Sequence, residues 1–144
     1  MTRLCAVLIL SLAGATSEKP AIIVQATDSP VRLDRATVLS EADGPPIVLY
    51  SATNLTDEQL DQFTMMAFIF DAKGTLKARQ VAPGRRTLDA RGTKYSTLVL
   101  DGSPIDATDV IVVGINQAQR VGSEVWWRAD LQTVAEAAAQ RKKP

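Results

Sequence analysis

The sequence predicts an all-β domain that ends in a single helix, and three observations predict it. Residues 63–80 form an apolar run that breaks at residues 71–74 and returns in alternation, which is the pattern of a β-hairpin. Two further apolar runs of strand length follow at residues 95–100 and 110–115. After Asp130 the apolar spacing changes to i, i+3, i+4 and i+7, which is typical of an amphipathic helix.

The first strand of the predicted hairpin is apolar on both faces. One face carries Phe63, Met65, Ala67 and Ile69, and the other carries Thr64, Met66, Phe68 and Phe70. Successive residues of a strand point to opposite sides of the sheet. We therefore expect a central strand that is covered on both sides, or covered on one side and capped on the other by a loop or helix.

The chain organises into one folded domain with short segments at either end. Residues 21–128 hold the predicted strands, with further strands expected at 21–24, 31–38 and 47–52. Thr16 to Pro20 is interpreted as a flexible lead. Residues 129–144 form the amphipathic helix and a basic tail, where the end of the helix dipole favours cations.

Residues 1–15 have the order of zones found in a secretory signal peptide. Arg3 gives a positive start, residues 4–12 are an apolar run too short to span a bilayer as a helix, and residues 13–15 resemble a cleavage site. A buried N-terminal strand or helix is the alternative. The sequence predicts export to the periplasm or secretion, and Cys5 lies too early in the apolar run for a lipid anchor.

Composition excludes several classes of chemistry. The sequence has no histidine, and its one cysteine, Cys5, lies in the predicted signal peptide. Disulfides, thiolate catalysis and metal or haem sites that depend on His and Cys are therefore not expected, and no cofactor is predicted. Sixteen basic and sixteen acidic residues balance, so charge gives no case for binding nucleic acid or an anionic membrane.

Three segments together resemble a known class of domain. Asn54 lies in a loop, residues 68–74 read FIFDAKG, and residues 88–100 read LDARGTKYSTLVL. This pattern resembles small bacterial exported domains with an immunoglobulin-like or fibronectin-type sandwich, the FxLYD type among them. The chain departs from the pattern in Phe70, where Tyr is usual, and in its C-terminal helix. The resemblance implies an immunoglobulin-like antiparallel β-sandwich of about seven strands and no particular activity.

Three acidic residues are candidate metal ligands. Asp101, Asp106 and Asp109 lie in a segment rich in Gly, Ser and Pro, and oxygen-rich loops of this kind hold calcium in some extracytoplasmic proteins. Their spacing fits no recognised calcium loop, so solvated turn acids are the simpler interpretation. The neighbouring hydrolase hypothesis, with Asp101 and Asp106 as a carboxylate pair, has little support in the sequence.

The two tryptophans are the candidate ligand platform. Trp126 and Trp127 are adjacent, so in a strand one fills the core while the other is exposed and stacks on a sugar or a partner. Asn116, Gln117 and Arg120 supply amide and guanidinium groups that suit hydrogen bonding. The simpler alternative is that both tryptophans are buried and the polar segment is an ordinary strand end.

Two functional hypotheses remain, and neither involves catalysis. The first is an exported module that binds a protein partner or a cell-envelope component through a sheet edge or the loop ends. The second is a module that binds carbohydrate or a small polar ligand through an exposed tryptophan. An exposed tryptophan beside a concave polar surface favours the second hypothesis, and two buried tryptophans favour the first.

Overall fold

The computed structural model describes residues 16–82, 87–102, 104–120, 122 and 125–142. The predicted signal peptide, residues 1–15, lies outside the described residues. The elements are, in chain order, β1 (Ser17–Pro20), β2 (Ile22–Ile23), β3 (Val31–Ser40), β4 (Ile47–Asn54), β5 (Leu60–Phe70), β6 (Leu76–Val81), β7 (Thr93–Val99), β8 (Val110–Arg120), β9 (Val125–Trp127) and α1 (Leu131–Arg141).

The strands form two sheets that pack face to face. Sheet A has the order β1-β3-β4-β7, and sheet B has the order β2-β8-β5-β6, with β9 also pairing with β8. The hairpins β3–β4, β5–β6 and β8–β9 stay within one sheet, while the chain crosses between sheets from β4 to β5, β6 to β7 and β7 to β8. This connectivity is that of an immunoglobulin-like sandwich, so the predicted fold class is confirmed.

The structure adds three features to the prediction. The strand β1 forms within the segment interpreted as a flexible lead, because its residues pair with residues 37–40 at the C-terminal end of β3. The strand β9 was not predicted as a separate element. Sheet B is mixed rather than wholly antiparallel, since β2 runs parallel to β8, with Ile22 opposite Val112.

The two faces of β5 lie in two separate cores, as the alternation predicts. Phe63 and Met65 belong to the core between the sheets. Phe68 and Phe70 belong to a second core between sheet B and α1. Full burial of one such side chain contributes about 1.5–3 kcal/mol, so both cores stabilise the fold substantially.

The helix α1 packs closely on sheet B because one residue beneath it has no side chain. A Cβ atom added to Gly114 of β8 would lie 2.6 Å from Cδ1 of Leu131 and 3.1 Å from Cγ2 of Val24. The buried side of the helix consists otherwise of alanines, which are Ala135, Ala138 and Ala139. Small residues on both surfaces thus let the helix and the sheet approach.

The predicted turn of the β5–β6 hairpin is organised by one carboxylate. Oδ1 of Asp71 accepts hydrogen bonds from the backbone amides of Lys73 and Thr75, both at 2.9 Å. These bonds favour the charged carboxylate, and the Thr75 amide is the largest cause of the lowered pKa of Asp71. Gly74 completes the turn with a φ of 83°, a conformation that glycine adopts without strain.

The outer face of sheet B is divided into two halves. The helix covers the apolar half, which contains Phe68, Phe70 and Val112. The other half, toward the end of β8, carries polar side chains and the β8–β9 pair. In the part of the chain that the structure describes, no helix is long and apolar enough to cross a membrane.

Candidate ligand-binding site

The two tryptophans point to opposite sides of β9. Trp126 packs against the core between the sheets, and its Nε1 donates a hydrogen bond to Oδ2 of Asp28 at 3.1 Å. Trp127 is 62% exposed, although it lies in a paired strand. An indole is a large apolar surface, so its exposure is a feature to be explained.

The backbone around Trp127 is held firmly in place. Trp127 pairs with Gln117 of β8, and the amide of Arg128 donates to the carbonyl oxygen of Asn116 at 3.0 Å. The Arg128 guanidinium donates to the Val24 carbonyl oxygen at 2.8 Å, which joins this strand end to the end of β2. The ring is therefore presented on a fixed strand rather than on a loop.

Three glutamine side chains lie on the same face of sheet B as Trp127. Gln117 is directly opposite Trp127, Gln119 follows two residues later, and Gln62 of β5 is opposite Gln119. Within the described residues, the side-chain amides of these three glutamines have no hydrogen-bond partner in the protein. We call Gln62, Gln117 and Gln119 the amide patch.

A cleft of about 500 Å³ is lined by both Trp126 and Trp127. It lies between residues 25–28 and residues 126–130, and its lining is mainly polar. We call it the tryptophan cleft. Asp28 and Asp130 bring carboxylates to it, and Arg128 brings a guanidinium whose Nε lies 3.3 Å from Oδ1 of Asp130.

The structure brings together only part of the predicted ligand site. Gln117 and Trp127 are neighbours across the β8–β9 pair. Asn116 lies at a bulge and hydrogen-bonds the hydroxyl of Thr64. Arg120 is the last residue of β8, and its Nη1 lies 3.7 Å from Oε2 of Glu58, so its guanidinium pairs with the loop before β5.

The three candidate metal ligands do not converge. Asp106 and Asp109 both contact the ammonium of Lys77, at 3.2 and 2.6 Å respectively. Asp101 does not share this ammonium, and its backbone amide donates to Oε1 of Gln80. Among the described residues, no three acidic side chains are placed to hold one metal ion.

Asp109 instead connects β1 and β6 to the loop before β8. Its side chain is only 1% exposed, and its Oδ2 also accepts the backbone amide of Asp106 at 2.8 Å. The hydrogen bond to Asp109 is the largest cause of the raised pKa of Lys77. Lys19 of β1 donates to the Asp109 carbonyl oxygen at 2.5 Å, and burial lowers the pKa of Lys19. This cluster was not predicted from the sequence, because Lys19 and Lys77 are both distant in sequence from Asp109.

A second concave surface lies on the outer face of sheet A. It has a volume of about 700 Å³ and lies over β3, β4 and β7. Leu49 is exposed within it, Tyr95 at its side is 84% exposed, and Val99 is exposed further along β7. Strand alternation places these side chains on one face of the sheet, but this face was not among the predicted sites.

Comparisons with known proteins found no relative. No family model matches the chain, and no curated protein and no solved structure matches it. The resemblance to FxLYD-type domains therefore stays a prediction.

Proposed function

We propose that this chain is a non-catalytic binding module that takes a neutral carbohydrate on Trp127 and the amide patch. The observation that carries the proposal is the exposed ring of Trp127 on a fixed strand, directly opposite Gln117 and on the face that also carries Gln119 and Gln62. The tryptophan cleft, which Trp127 also lines, offers the ligand a concave surface next to the ring.

The chemistry of the patch suits a sugar. The apolar C–H face of a pyranose ring packs on the flat face of an indole, and this contact removes both surfaces from water. Each glutamine amide offers two donors and an acceptor with no charge, which matches hydroxyl groups that also donate and accept. A neutral ligand needs no counter-ion, and the amide patch contains none.

The proposal assigns binding and no hydrolysis to the chain. The two carboxylates considered from the sequence, Asp101 and Asp106, have no partner in common, because Asp106 contacts Lys77 while the Asp101 backbone amide donates to Gln80. The predicted signal peptide supports a ligand outside the cytoplasm, such as a polysaccharide of the cell envelope. That ligand also fits the hypothesis of an envelope-binding module.

A protein partner is the second candidate, and a specific observation favours it. Leu49, Tyr95 and Val99 are exposed on sheet A, on the outer face opposite to the core. Large apolar side chains that share an exposed face are typical of interaction surfaces.

The test is titration of residues 16–144 with a panel of neutral envelope and plant polysaccharides, followed by tryptophan fluorescence and by calorimetry. We expect one glycan to shift the emission, and Trp127→Ala to weaken its binding about tenfold or more, since one stacking contact and its buried area are lost. Gln117→Ala is expected to weaken binding less. Tyr95→Ala, which removes an exposed aromatic ring from the opposite sheet, is the matched control.

Two results would overturn the proposal. One is a panel in which no glycan changes the fluorescence or releases heat. The other is a glycan that binds the Trp127→Ala protein as tightly as the unchanged protein. A glycan whose binding depends on Tyr95 and not on Trp127 would move the ligand site to sheet A.

A further inference from the structure

The strands at the edges of the two sheets differ in how well they are protected from pairing with another chain. In the described part of the chain, β1 ends sheet A with only four residues, among them Glu18, Lys19 and Pro20. The strand β6 ends sheet B on one side with two cations, and a bulge interrupts its pairing with β5. At the other side of sheet B, β2 has only two residues. Short length, charge, proline and bulges are the usual devices that prevent edge strands from pairing with other chains.

The strand β7, at the other end of sheet A, has almost none of these devices. Its seven residues pair with β4 in an unbroken register. It contains no proline, and Lys94 is its single charged residue. Of the strands described at the sheet edges, β7 is therefore the one best suited to pair with a further strand.

The backbone groups on the open side of β7 can be identified. The Leu100 amide donates to the Pro46 carbonyl at 2.8 Å, and the Asn54 amide donates to the Gly92 carbonyl at 2.9 Å. Residues of an antiparallel strand alternate in the direction of their backbone groups. The N–H and C=O groups of Thr93, Tyr95, Thr97 and Val99 accordingly point away from β4.

One end of this open edge is capped by a side chain. Nε2 of Gln80 donates to the Val99 carbonyl oxygen at 2.5 Å, and the Asp101 amide donates to Oε1 of Gln80 at 3.0 Å. The Gln80 amide thus takes the place of a neighbouring strand at this end. Further along the edge, the backbone groups of Thr93, Tyr95 and Thr97 that point away from β4 have no hydrogen-bond partner among the described residues, and the Lys94 ammonium lies 3.4 Å from Oγ1 of Thr87.

The segment that carries these groups, residues 93–97, is symmetric in sequence about its centre. It reads Thr93-Lys94-Tyr95-Ser96-Thr97, so threonines flank the tyrosine at equal distances. Antiparallel pairing with an identical strand about Tyr95 would place the two Tyr95 rings opposite each other and each Thr93 opposite a Thr97. Aromatic pairs and Thr–Thr pairs are favourable across antiparallel strands.

We propose that a second copy of this chain pairs with β7 in an antiparallel manner, with a two-fold axis at Tyr95. The pairing joins two four-stranded sheets into one sheet of eight strands and places both outer faces of sheet A on the same side. The 84% exposure of Tyr95 in the single chain is then explained as the exposure of an interface residue. Two-fold dimers are the commonest symmetric assemblies of soluble proteins.

The expected dimer is weak. Pairing of five residues at one edge buries less than the roughly 800 Å² per partner of a standard stable interface. Residues 16–144 carry 15 basic and 16 acidic residues, so two copies do not repel strongly. The dimer is thus expected to form reversibly as concentration rises, and the inference goes beyond the carbohydrate site, which lies on the other sheet.

Sedimentation velocity over a wide range of concentration, with amide hydrogen exchange by NMR, tests the proposal on residues 16–144. We expect the mean mass to rise from that of one chain toward that of two, and the Tyr95 and Thr97 amides to become protected in parallel. Tyr95→Lys places two like charges at the axis and should weaken association about tenfold or more. Thr97→Pro removes a backbone amide that points away from β4, so no hydrogen bond to β4 is lost. This substitution should also weaken association.

Glu18→Lys, on the opposite edge of the same sheet, is the matched control and should leave association unchanged. A single-chain mass at every concentration, with fast exchange at Tyr95, would overturn the proposal. So would a dimer that persists in both the Tyr95→Lys and Thr97→Pro proteins. Trp127→Ala should have no effect on the mass, so failure of the dimer and failure of the carbohydrate site are separate results.

Discussion

Nδ2 of Asn54 donates a hydrogen bond to the carbonyl oxygen of Leu88, 3.2 Å away, although 34 residues separate the two in sequence. The same nitrogen lies 2.7 Å from the Glu58 carbonyl oxygen and 3.1 Å from that of Asp89, while Oδ1 accepts the Thr56 amide. One buried amide therefore joins the loop after β4 to the segment before β7.

Asn54→Ala is expected to lower the free energy of unfolding by about 3 kcal/mol, because buried carbonyl groups lose their donor. Chemical denaturation followed by circular dichroism measures the change. Gln59→Ala, at an exposed position of the same loop, is the control and should change little. Equal stabilities of the two variants would show that this amide is not a structural link.

Asp109→Asn is expected to destabilise the domain by about 1–3 kcal/mol, because the Lys77 ammonium loses its buried partner. Thermal unfolding of the variant gives the measurement. Asp101→Asn changes an exposed acid near the same loop and should leave the melting temperature unchanged. If calcium raises the melting temperature of the unchanged protein and not of the Asp109→Asn protein, this carboxylate binds a metal ion after all.

Gly114→Ala is expected to cost about 1–3 kcal/mol, because the added Cβ would lie against Leu131 and Val24 and push the helix off sheet B. Limited proteolysis should cut the variant first within residues 131–141. Gly44→Ala, where a Cβ meets no atom within 4 Å, is the control. A Gly114→Ala protein with unchanged stability and protease resistance would mean that Leu131 repacks without cost.

Removing one tryptophan at a time separates the two fluorescence signals. Trp127→Phe should leave the protected, blue-shifted emission of Trp126, because Trp126 packs on the core. Trp126→Phe should leave a red-shifted emission that acrylamide quenches readily, because Trp127 is exposed. The opposite assignment would contradict the side of β9 on which each ring lies.

Acid is expected to weaken the β5–β6 hairpin through Asp71. Its pKa is lower in the folded protein than in the unfolded chain, since backbone amides bond the carboxylate. The stabilisation is therefore present above about pH 4 and is lost as the pH falls further through the folded pKa. In an acid titration followed by circular dichroism, Asp71→Ala should be less stable at neutral pH and show a flatter dependence. If Asp71→Ala left the pH dependence of stability in acid unchanged, this role of Asp71 would be contradicted.

The parts of the fold that depend on local pattern were predictable from sequence. The alternation of Phe63 with Thr64 and of Ile69 with Phe70 predicted two covered faces, and the i, i+3, i+4 spacing after Asp130 predicted the helix that covers one of them. Each pattern lies within a few residues of one segment, where periodicity reports burial directly.

The parts that depend on distant pairing were not predictable. Nothing local indicates that Ser17–Pro20 finds a partner in β3, or that Lys77 reaches the carboxylate of Asp109. The candidate site likewise has one part that was predictable from the sequence and one part that was not. The alternation of Trp126 and Trp127 was predictable, whereas Gln62 joins Gln119 only through the register between β5 and β8.

The order of elements along the chain has a consequence for synthesis and quality control. Residues 131–141 follow every strand, so sheet B is complete before its apolar outer half has a cover. A copy that stops before α1 keeps Phe68, Phe70 and Val112 in water. An exposed apolar surface is a target for proteases and chaperones, so loss of α1 is expected to shorten the lifetime of the chain in the cell.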